Sequence, residues 1–416
     1  MERQYKDSGN EWIGRIPETW KSTKLFNLCT IKGRIGWNGL RSDEFKEKSY
    51  AYLVTGQDFC SSEIDWSKCY QIDKERYDED PFIQLDNGDI LITKDGTIGK
   101  IAKVSNMDKP ACLNSGIFVL KQRKETFVQN YLYWYLASPL LIDYNSYINS
   151  GGTTIMHLYQ NVFERFPMLI PSIKEQKRIA DYLDEKCGEI DSLIGIQEQM
   201  IEKLKAYKQS VITEAVTKGL NSNAKLVSSG IDWIGEIPEG WEIAQLKRFL
   251  TFQNGQDYKA IETKESEGFP VYGSGGVFAY AAKYMYNGES VLFGRKGTVN
   301  KPLYVNCCFW TVDTMYYTIP SEACNCKFMY YVATTLPYDK YSTSTALPSM
   351  TQSILGNLMI TIPPIAEQQA IASYLDKKCS EIDKLIDVKQ LKIEKLKDYK
   401  KSVIYEAVTG KINIES

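Results

Sequence analysis

The sequence predicts an α+β protein. Two mixed α/β domains are separated by two long helices that form an antiparallel coiled coil, and the whole arises from an internal duplication with twofold pseudo-symmetry. Three observations predict it. Residues 170–218 align without a gap to residues 362–410 at a constant offset of 192, with 31 of 49 positions identical, where unrelated segments would share roughly three. A shorter segment, Trp12-Ile13-Gly14-Arg15-Ile16-Pro17-Glu18-Thr19-Trp20, returns as Trp233-Ile234-Gly235-Glu236-Ile237-Pro238-Glu239-Gly240-Trp241 at an offset of 221. Between the matched pieces the halves diverge, so the 29 residues of difference between the two offsets accumulate inside variable regions. The expected order is a variable domain over 1–169, a conserved helix over 170–220, a second variable domain over 221–361 and a second conserved helix over 362–416.

Within the variable regions only faint echoes survive. Gly88-Asp89-Ile90-Leu91 with Gly96-Thr97 matches Val291-Leu292 with Gly297-Thr298, each a short apolar run ending in a glycine turn, which reads as strand and loop. Ile117 to Leu120 and Met315 to Ile319 read as further strands, and Phe127 to Leu136 and Lys327 to Leu336 as aromatic-rich helices. The repeated segments read as much longer helices. Ser172-Ile173-Lys174-Glu175 is a capping-box pattern, Pro363-Pro364 sits where proline is tolerated at a helix start, and Gly219 and Gly410 are the expected C-cap glycines.

Heptad phasing of the first helix gives a seam carrying Ile190, Ile194, Ile201, Leu204 and Val211; its copy carries Ile382, Ile386, Ile393, Leu396 and Val403. Gln197, Lys208, Lys389 and Lys400 interrupt the seams at the same two places, where polar residues fix register. Helices that stay alike while the domains around them diverge meet a common partner twice.

Composition excludes several classes of function. The chain has 416 residues, 43% apolar and 25% charged, which is ordinary for a folded globular protein. No uncharged apolar run reaches the 18 or so residues of a membrane span, and Met1-Glu2-Arg3-Gln4 leads into no signal-type core, so a cytoplasmic protein without membrane attachment is expected. Ten cysteines include no C-x-x-C pair and read as reduced thiols, and no metal site is expected. The single histidine, His157, excludes schemes that need two imidazoles. Neither a phosphate-binding G-x-x-x-x-G-K-[ST] loop nor an N-P-P-[YF] tetrad is present; Ile362-Pro363-Pro364-Ile365 lacks the asparagine and aromatic. Tyr272-Gly273-Ser274-Gly275-Gly276 is not a nucleophile elbow. The chain is therefore expected to have no catalytic residues and no cofactor of its own.

Recognition remains. Lys32-Gly33-Arg34 with Trp37, Asn38 and Arg41 places cations beside glycine turns and an aromatic, and Lys94, Lys100 and Lys103 follow the Gly88 strand. In the second half, Gln253, Asn254 and Gln256 offer amides suited to adenine edges, with Lys259 beside them, while Arg295, Lys296 and Lys301 flank Gly297. Solvated surface lysines are the competing reading for each of these. With 50 Lys+Arg against 52 Asp+Glu, any nucleic-acid binding must rest on segregated basic patches.

The paired E-Q-x-x-I-A-x-Y-L-D segments, Glu175 to Asp184 and Glu367 to Asp376, each preceded by Ile-Pro and followed by E-I-D, carry a family resemblance. With the W-I-G-x-I-P-x-x-W segments, the V-Y-G-S-G-G string at 271–276 and the I-E-K-L-K-x-Y-K-x-S-V-I-x-E-A-V-T tails, the chain resembles, end to end, the specificity subunit of type I restriction-modification systems. That resemblance implies a non-catalytic reader of double-stranded DNA with two target recognition domains, each reading one half of a bipartite, asymmetric site. The helices would set the half-site spacing and bind methylation subunits. Half-sites near one helical turn apart, about 34 to 36 Å, would let both domains reach one face of the duplex. The implied partners are two methylation subunits carrying S-adenosylmethionine and two restriction subunits using ATP and Mg, to which methylation and cleavage belong. The DNA-reading subunit of a type II methylase-nuclease fusion and a coiled-coil scaffold with no DNA role are the alternatives.

Overall fold

The structure is a computed structural model and describes residues 3–34, 40–123, 127–148, 157–343 and 348–414. It divides into two compact units, the first comprising Met1–Ile196 with Lys392–Ser416 and the second Gln197–Leu391.

In the first unit the strands are β1 (Lys21–Lys24), β2 (Cys29–Lys32), β3 (Ala51–Val54), β4 (Phe59–Cys60), β5 (Glu63–Ile64), β6 (Tyr70–Ile72), β7 (Ile90–Thr93), β8 (Ile101–Lys103), β9 (Ala111–Leu113) and β10 (Ile117–Gln122). Helix α1 (Gln129–Ala137), strand β11 (Pro167–Ile170) and the long helix α2 (Ile173–Lys218) follow. The main sheet runs β2-β10-β7-β8-β5-β4. Its pairings are antiparallel except β8 with β5. Every residue of β7 is buried, as expected of a central strand written as the unbroken run Ile90-Leu91-Ile92. A three-stranded sheet, β9-β3-β6, packs beside it, and β1 pairs with β11.

The second unit contains β12 (Glu242–Gln245), β13 (Leu250–Asn254), β14 (Glu262–Thr263), β15 (Phe269–Gly273), β16 (Gly276–Ala281), β17 (Tyr286–Gly294), β18 (Leu303–Thr311) and β19 (Met315–Pro320). These are followed by α3 (Cys326–Ala333), β20 (Met359–Ile362) and the long helix α4 (Ile365–Val408). Its main sheet runs β13-β19-β17-β18-β15-β16-β14, and β12 pairs with β20. The first five strands repeat the order and directions of the first unit's β2-β10-β7-β8-β5, including the single parallel contact, here β18 with β15. The duplication thus extends through the variable regions as topology after the side chains have diverged.

The long helices have the lengths the repeat demands, 46 and 44 residues. Ser172 caps α2 by accepting from the Glu175 amide at 3.3 Å, although the Glu175 carboxylate pairs with Arg3 instead of closing the box. Both helices end at glycines with left-handed φ, Gly219 at 73° and Gly410 at 70°. A side chain at Gly410 would also sit 2.5 Å from Pro17 and 3.0 Å from Trp20, so the cap glycine doubles as a packing surface for the W-I-G-x-I-P-x-x-W segment.

In each unit the two helices run antiparallel. In the second, Lys208 meets Asp383 and Cys379, while Gly219, further along α2, faces Glu367 near the start of α4. In the first, Lys400 meets Asp191 and Cys187, and Glu406 lies near Tyr182. Ile190, Ile194, Ile393 and Val403 are buried in the first unit and Leu396 is half-buried; in the second, Ile201, Val211 and Ile382 are buried, with Leu204 and Ile386 half-buried.

The E-Q-x-x-I-A-x-Y-L-D motif acts identically in both units. The buried Gln176 accepts from the Val128 amide just before α1 at 2.8 Å and donates to the Pro171 carbonyl at 3.0 Å. Gln368 accepts from the Asn325 amide just before α3 at 2.8 Å and donates to Pro363 at 2.9 Å. At the end of the motif, Asp184 accepts from Trp134 and Asn130 on α1, and Asp376 from Tyr331 and Lys327 on α3. The motif clamps the domain helix onto the long helix, and this is why its residues recur.

Candidate nucleic-acid interface

In the first unit, the loops that follow β3 and β7 and precede β10 converge on a cleft of about 600 Å³. The fully buried run Ala51-Tyr52-Leu53-Val54 ends in the turn Thr55-Gly56-Gln57-Asp58, held by Asp58, whose carboxylate accepts from the Thr55 amide at 2.6 Å. A Cβ at Gly56 would lie 2.9 Å from the Thr93 methyl, so only glycine lets this turn approach β7. Thr93 is buried, and its hydroxyl donates to the Thr97 carbonyl at 2.5 Å and accepts from the Lys100 amide at 3.0 Å, folding the 94–100 loop back over the cleft. Gly96 in that loop has φ +70°. Gln57, Asp95, Lys100 and Asn114 supply polar lining, with Phe45 and Tyr70 as aromatic walls. The His157 ring nitrogen Nδ1 lies 2.8 Å from the Asp95 carboxylate at the rim, with both side chains about half exposed.

The cations expected here separate into groups. Lys100 is exposed and lines the cleft. Lys94 is half-buried with its ammonium 5.0 Å from the Phe118 ring centre, and Lys32 stands 5.4 Å from the exposed Phe82 ring. Arg41 is exposed; its amide donates to Glu44 at 2.7 Å, and this bond, ahead of the Arg76 guanidinium, holds the Glu44 carboxyl below its ordinary range.

Arg34 is a correction. It is 2% exposed, its Nε donates to the Leu113 carbonyl at 2.9 Å and its Nη2 reaches the Cys112 sulfur at 3.5 Å, so it belongs to the core and cannot meet a phosphate. The position follows a strand whose neighbour Gly33 presses against the Ile117 carbonyl, and the chain turns the guanidinium inward to satisfy a buried carbonyl. Lys103 is turned to α1, donating to Asn130 at 3.3 Å beside the Tyr133 ring, instead of lining the cleft. Trp37 and Asn38 lie outside the described residues.

In the second unit the expected residues gather at the corresponding edge of the sheet. Backbone bonds from Gly255 to Met315, from Gln256 to Thr311 and from Arg295 to Thr314 tie the 253–259, 295–301 and 311–315 segments together. Gly255 and Gly294 are obligatory here, since a Cβ would fall 1.9 Å from the Val312 carbonyl oxygen and 2.2 Å from that of Thr298. Gly297 has φ +81°, the counterpart of Gly96. Asn254, Gln256, Lys259, Lys296 and Lys301 are exposed, and Gln253 and Arg295 half-buried. Arg295 lies 5.9 Å from the Tyr316 ring centre and donates to the Asp313 carbonyl at 3.4 Å; Asn254 accepts from Gln352 at 3.2 Å. Hydrogen bonds to the Tyr258 hydroxyl and the Glu262 carboxylate push the Lys259 ammonium pKa up, so it stays charged.

Sequence reasoning missed Gln57, Asp95, Asn114 and Gln352. The available signal for the first was the turn T-G-Q-D after a wholly apolar run. Asn114 and Gln352 carried none, because they reach the edge only through strand pairing and a short helix distant in sequence. Among the described residues no group of three metal-ligating side chains occurs, and no helix is long and apolar enough to cross a membrane.

Comparison with known proteins gives these features a family. The type I restriction modification DNA specificity domain matches residues 17–206 and again 238–398. The type I restriction enzyme MjaVIII specificity subunit of Methanocaldococcus jannaschii is 26% identical over 435 residues, covering 97% of this chain and 95% of that protein. A chain in a solved structure of a type I R-M system, determined for its assembly and conformational transition, superposes with a TM-score of 0.73 at 16% identity, covering 95% of this chain and 99% of that one. The HsdS subunit from Thermoanaerobacter tengcongensis gives 0.51 at 15% identity, covering 98% of this chain and 100% of that one. Those two show likeness of fold. Two copies of one domain occupy most of the sequence and share one strand order and one helix clamp, and the chain belongs to the type I restriction modification DNA specificity family.

Proposed function

We propose that this specificity subunit reads a bipartite, asymmetric duplex site, each target recognition domain contacting one half-site through the edge described above. The observation that carries the proposal is the pairing of a shared sheet topology with unlike edges. The first unit offers Gln57, Lys100 and Asn114 around a cleft, and the second the exposed Asn254 and Gln256 with the half-buried Arg295. Phosphate contacts by exposed lysines position the protein, while amides and arginine discriminate bases. Because those edge residues differ, the two half-sites differ. The proposed boundaries remain 1–169 and 221–361 for the reading domains, with 170–220 and 362–416 as spacers whose length sets the number of base pairs between half-sites.

The spacer helices are also the proposed seat of two methylation subunits. Exposed apolar side chains recur at copied positions, Leu193 with Leu385, Ile196 with Val388 and Tyr207 with Tyr399, which supports two equivalent contacts. Methyl transfer from S-adenosylmethionine and cleavage driven by ATP with Mg are assigned to the methylation subunits and to two restriction subunits, and this chain contributes recognition alone. Co-expression with the cognate methylation subunit, followed by sequencing of methylated adenines, tests the reading. A discontinuous asymmetric motif is expected, and a continuous palindrome would contradict it.

A further inference from the structure

We infer that the hairpin formed by β15 and β16 in the second unit is a wedge that enters the base stack of the duplex, with Phe278 as the inserting side chain; the inference rests on the DNA-reading function proposed above. The hairpin is a tight two-residue turn, Ser274-Gly275, closed by the Gly273–Gly276 pair, with Gly276 at φ +105°. Just past the turn stand two apolar side chains that the core does not take up, Val277 at 44% and Phe278 at 56% exposure.

The ring is not loose. It packs on Gly273, where a Cβ would lie 3.1 Å from its Cε1, and makes a T-shaped contact with the buried Tyr258 ring at 5.5 Å and 89°. The side chain is thus held by contacts to Gly273 and Tyr258 while more than half of it stands in solvent, so its direction is set before it meets a base step.

The surroundings favour a nucleic acid over a protein face. The Val312 amide donates to Tyr272 at 3.3 Å, and Trp310 Nε1 donates to the Gln256 carbonyl at 2.8 Å, so the hairpin adjoins the segments that carry Gln256, Arg295 and Lys296. The Lys259 ammonium stands 4.9 Å from the same Tyr258 ring, and its contact to Glu262 at 3.2 Å is an exposed pair of small net strength. Cations and amides that hold backbone and base edges around one apolar projection form the arrangement by which wedge residues unstack a step. Gly273, Gly275 and Gly276 bring no Cβ that would keep the sugar-phosphate backbone away. The first unit has no such projection at the corresponding place, where the turn between β4 and β5 carries Ser61 and Ser62. This hairpin wedge therefore has no copy at that turn.

The test uses the full chain assembled with its methylation subunits on duplexes carrying the methylated motif. 2-Aminopurine is placed in turn at each position of the second half-site other than the methylated adenine. The wild-type assembly is expected to raise fluorescence several-fold at one step, and Phe278→Ala to abolish that rise and weaken duplex binding roughly tenfold. Phe278→Trp keeps the signal, and a mismatch built into the same step restores Phe278→Ala binding. Tight wild-type binding with no responsive step overturns the wedge and leaves the DNA-reading function intact. Loss of methylation subunits from Phe278→Ala with an unchanged fluorescence rise makes the hairpin a protein contact and also overturns it. A wild-type assembly that binds no duplex overturns both readings.

Discussion

In the second unit the Lys208 ammonium bridges both carboxylate oxygens of Asp383, at 2.7 and 2.6 Å, and in the first unit Lys400 does the same with Asp191 at 2.7 Å to each. At the duplication offset of 192, Lys400 is the copy of Lys208 and Asp383 the copy of Asp191. Each bridge joins a cation from one copy to an anion from the other. Two lysines that interrupt an apolar seam are thereby turned into register marks.

Charge reversal tests this. Lys208→Glu should cost about 0.5–1 kcal/mol in urea unfolding of the full chain, and adding Asp383→Lys should recover most of it. Additive losses in the double variant would show that the pair does not set register.

The glutamine clamp should be worth more, because its partners are buried main-chain groups. Gln368→Leu keeps the volume but leaves the Asn325 amide and the Pro363 carbonyl without their bonds, at a cost of about 2 kcal/mol or more. Thermal unfolding should fall by several degrees, and Gln176→Leu should behave alike. A loss within experimental error at both positions would refute the clamp.

Arg34 and Arg295 should separate stability from recognition. Arg34→Ala strips the Leu113 carbonyl of its buried donor and should destabilise the fold by about 1–3 kcal/mol. Arg295→Ala should leave unfolding within about 0.5 kcal/mol of the parent and relax methylation at the half-site read by the second domain. Relaxation at the other half-site would exclude Arg295 from that role.

A spacer helix lengthened by four residues, roughly one turn or 6 Å, should change the number of base pairs between half-sites while both half-site sequences persist. Methylation sequencing reads this directly. Altered half-site bases would count against helix length as the determinant.

Thiol labelling reports the burial pattern. Burial pushes the Cys112 thiol up to about 11 and Cys326 up to about 12, so neither should react with iodoacetamide at pH 8 until the chain unfolds. Cys60 is exposed and should label first. Cys307 is exposed too, but partial burial raises its thiol, so its rate should climb as pH passes the usual cysteine range. Fast labelling of Cys112 in the folded chain would contradict the packing around Arg34.

The long helices were legible because their signals are local: a helix start marked by the Ser172 cap in one copy and by Pro363-Pro364 in the other, a heptad phase and a terminal glycine. The strands Ile117 to Leu120 and Met315 to Ile319 were legible as apolar runs. Their order was not, since only pairing across distant segments places β8 beside β5 and β18 beside β15. The site was legible in part. Glycine turns marked the loops, so Lys100, Gln256 and Arg295 could be singled out, but nothing in Lys32-Gly33-Arg34 distinguishes the lysine that faces outward from the arginine that satisfies a buried carbonyl. The motif's glutamine and aspartate marked the family without showing what they do, and their purpose emerges only where α1 and α3 begin.

The amides gripped by Gln176 and Gln368 belong to Val128 and Asn325, two residues with nothing chemical in common. Any amino acid except proline presents the same N–H, so the socket accepts almost any plug. At this socket a reading domain can therefore mutate freely, or be exchanged for another of the same topology, provided its helix still offers donors to the motif aspartate, as Asn130 and Trp134 do in one unit and Lys327 and Tyr331 in the other. Within this architecture, novelty in sequence preference and constancy in assembly do not compete.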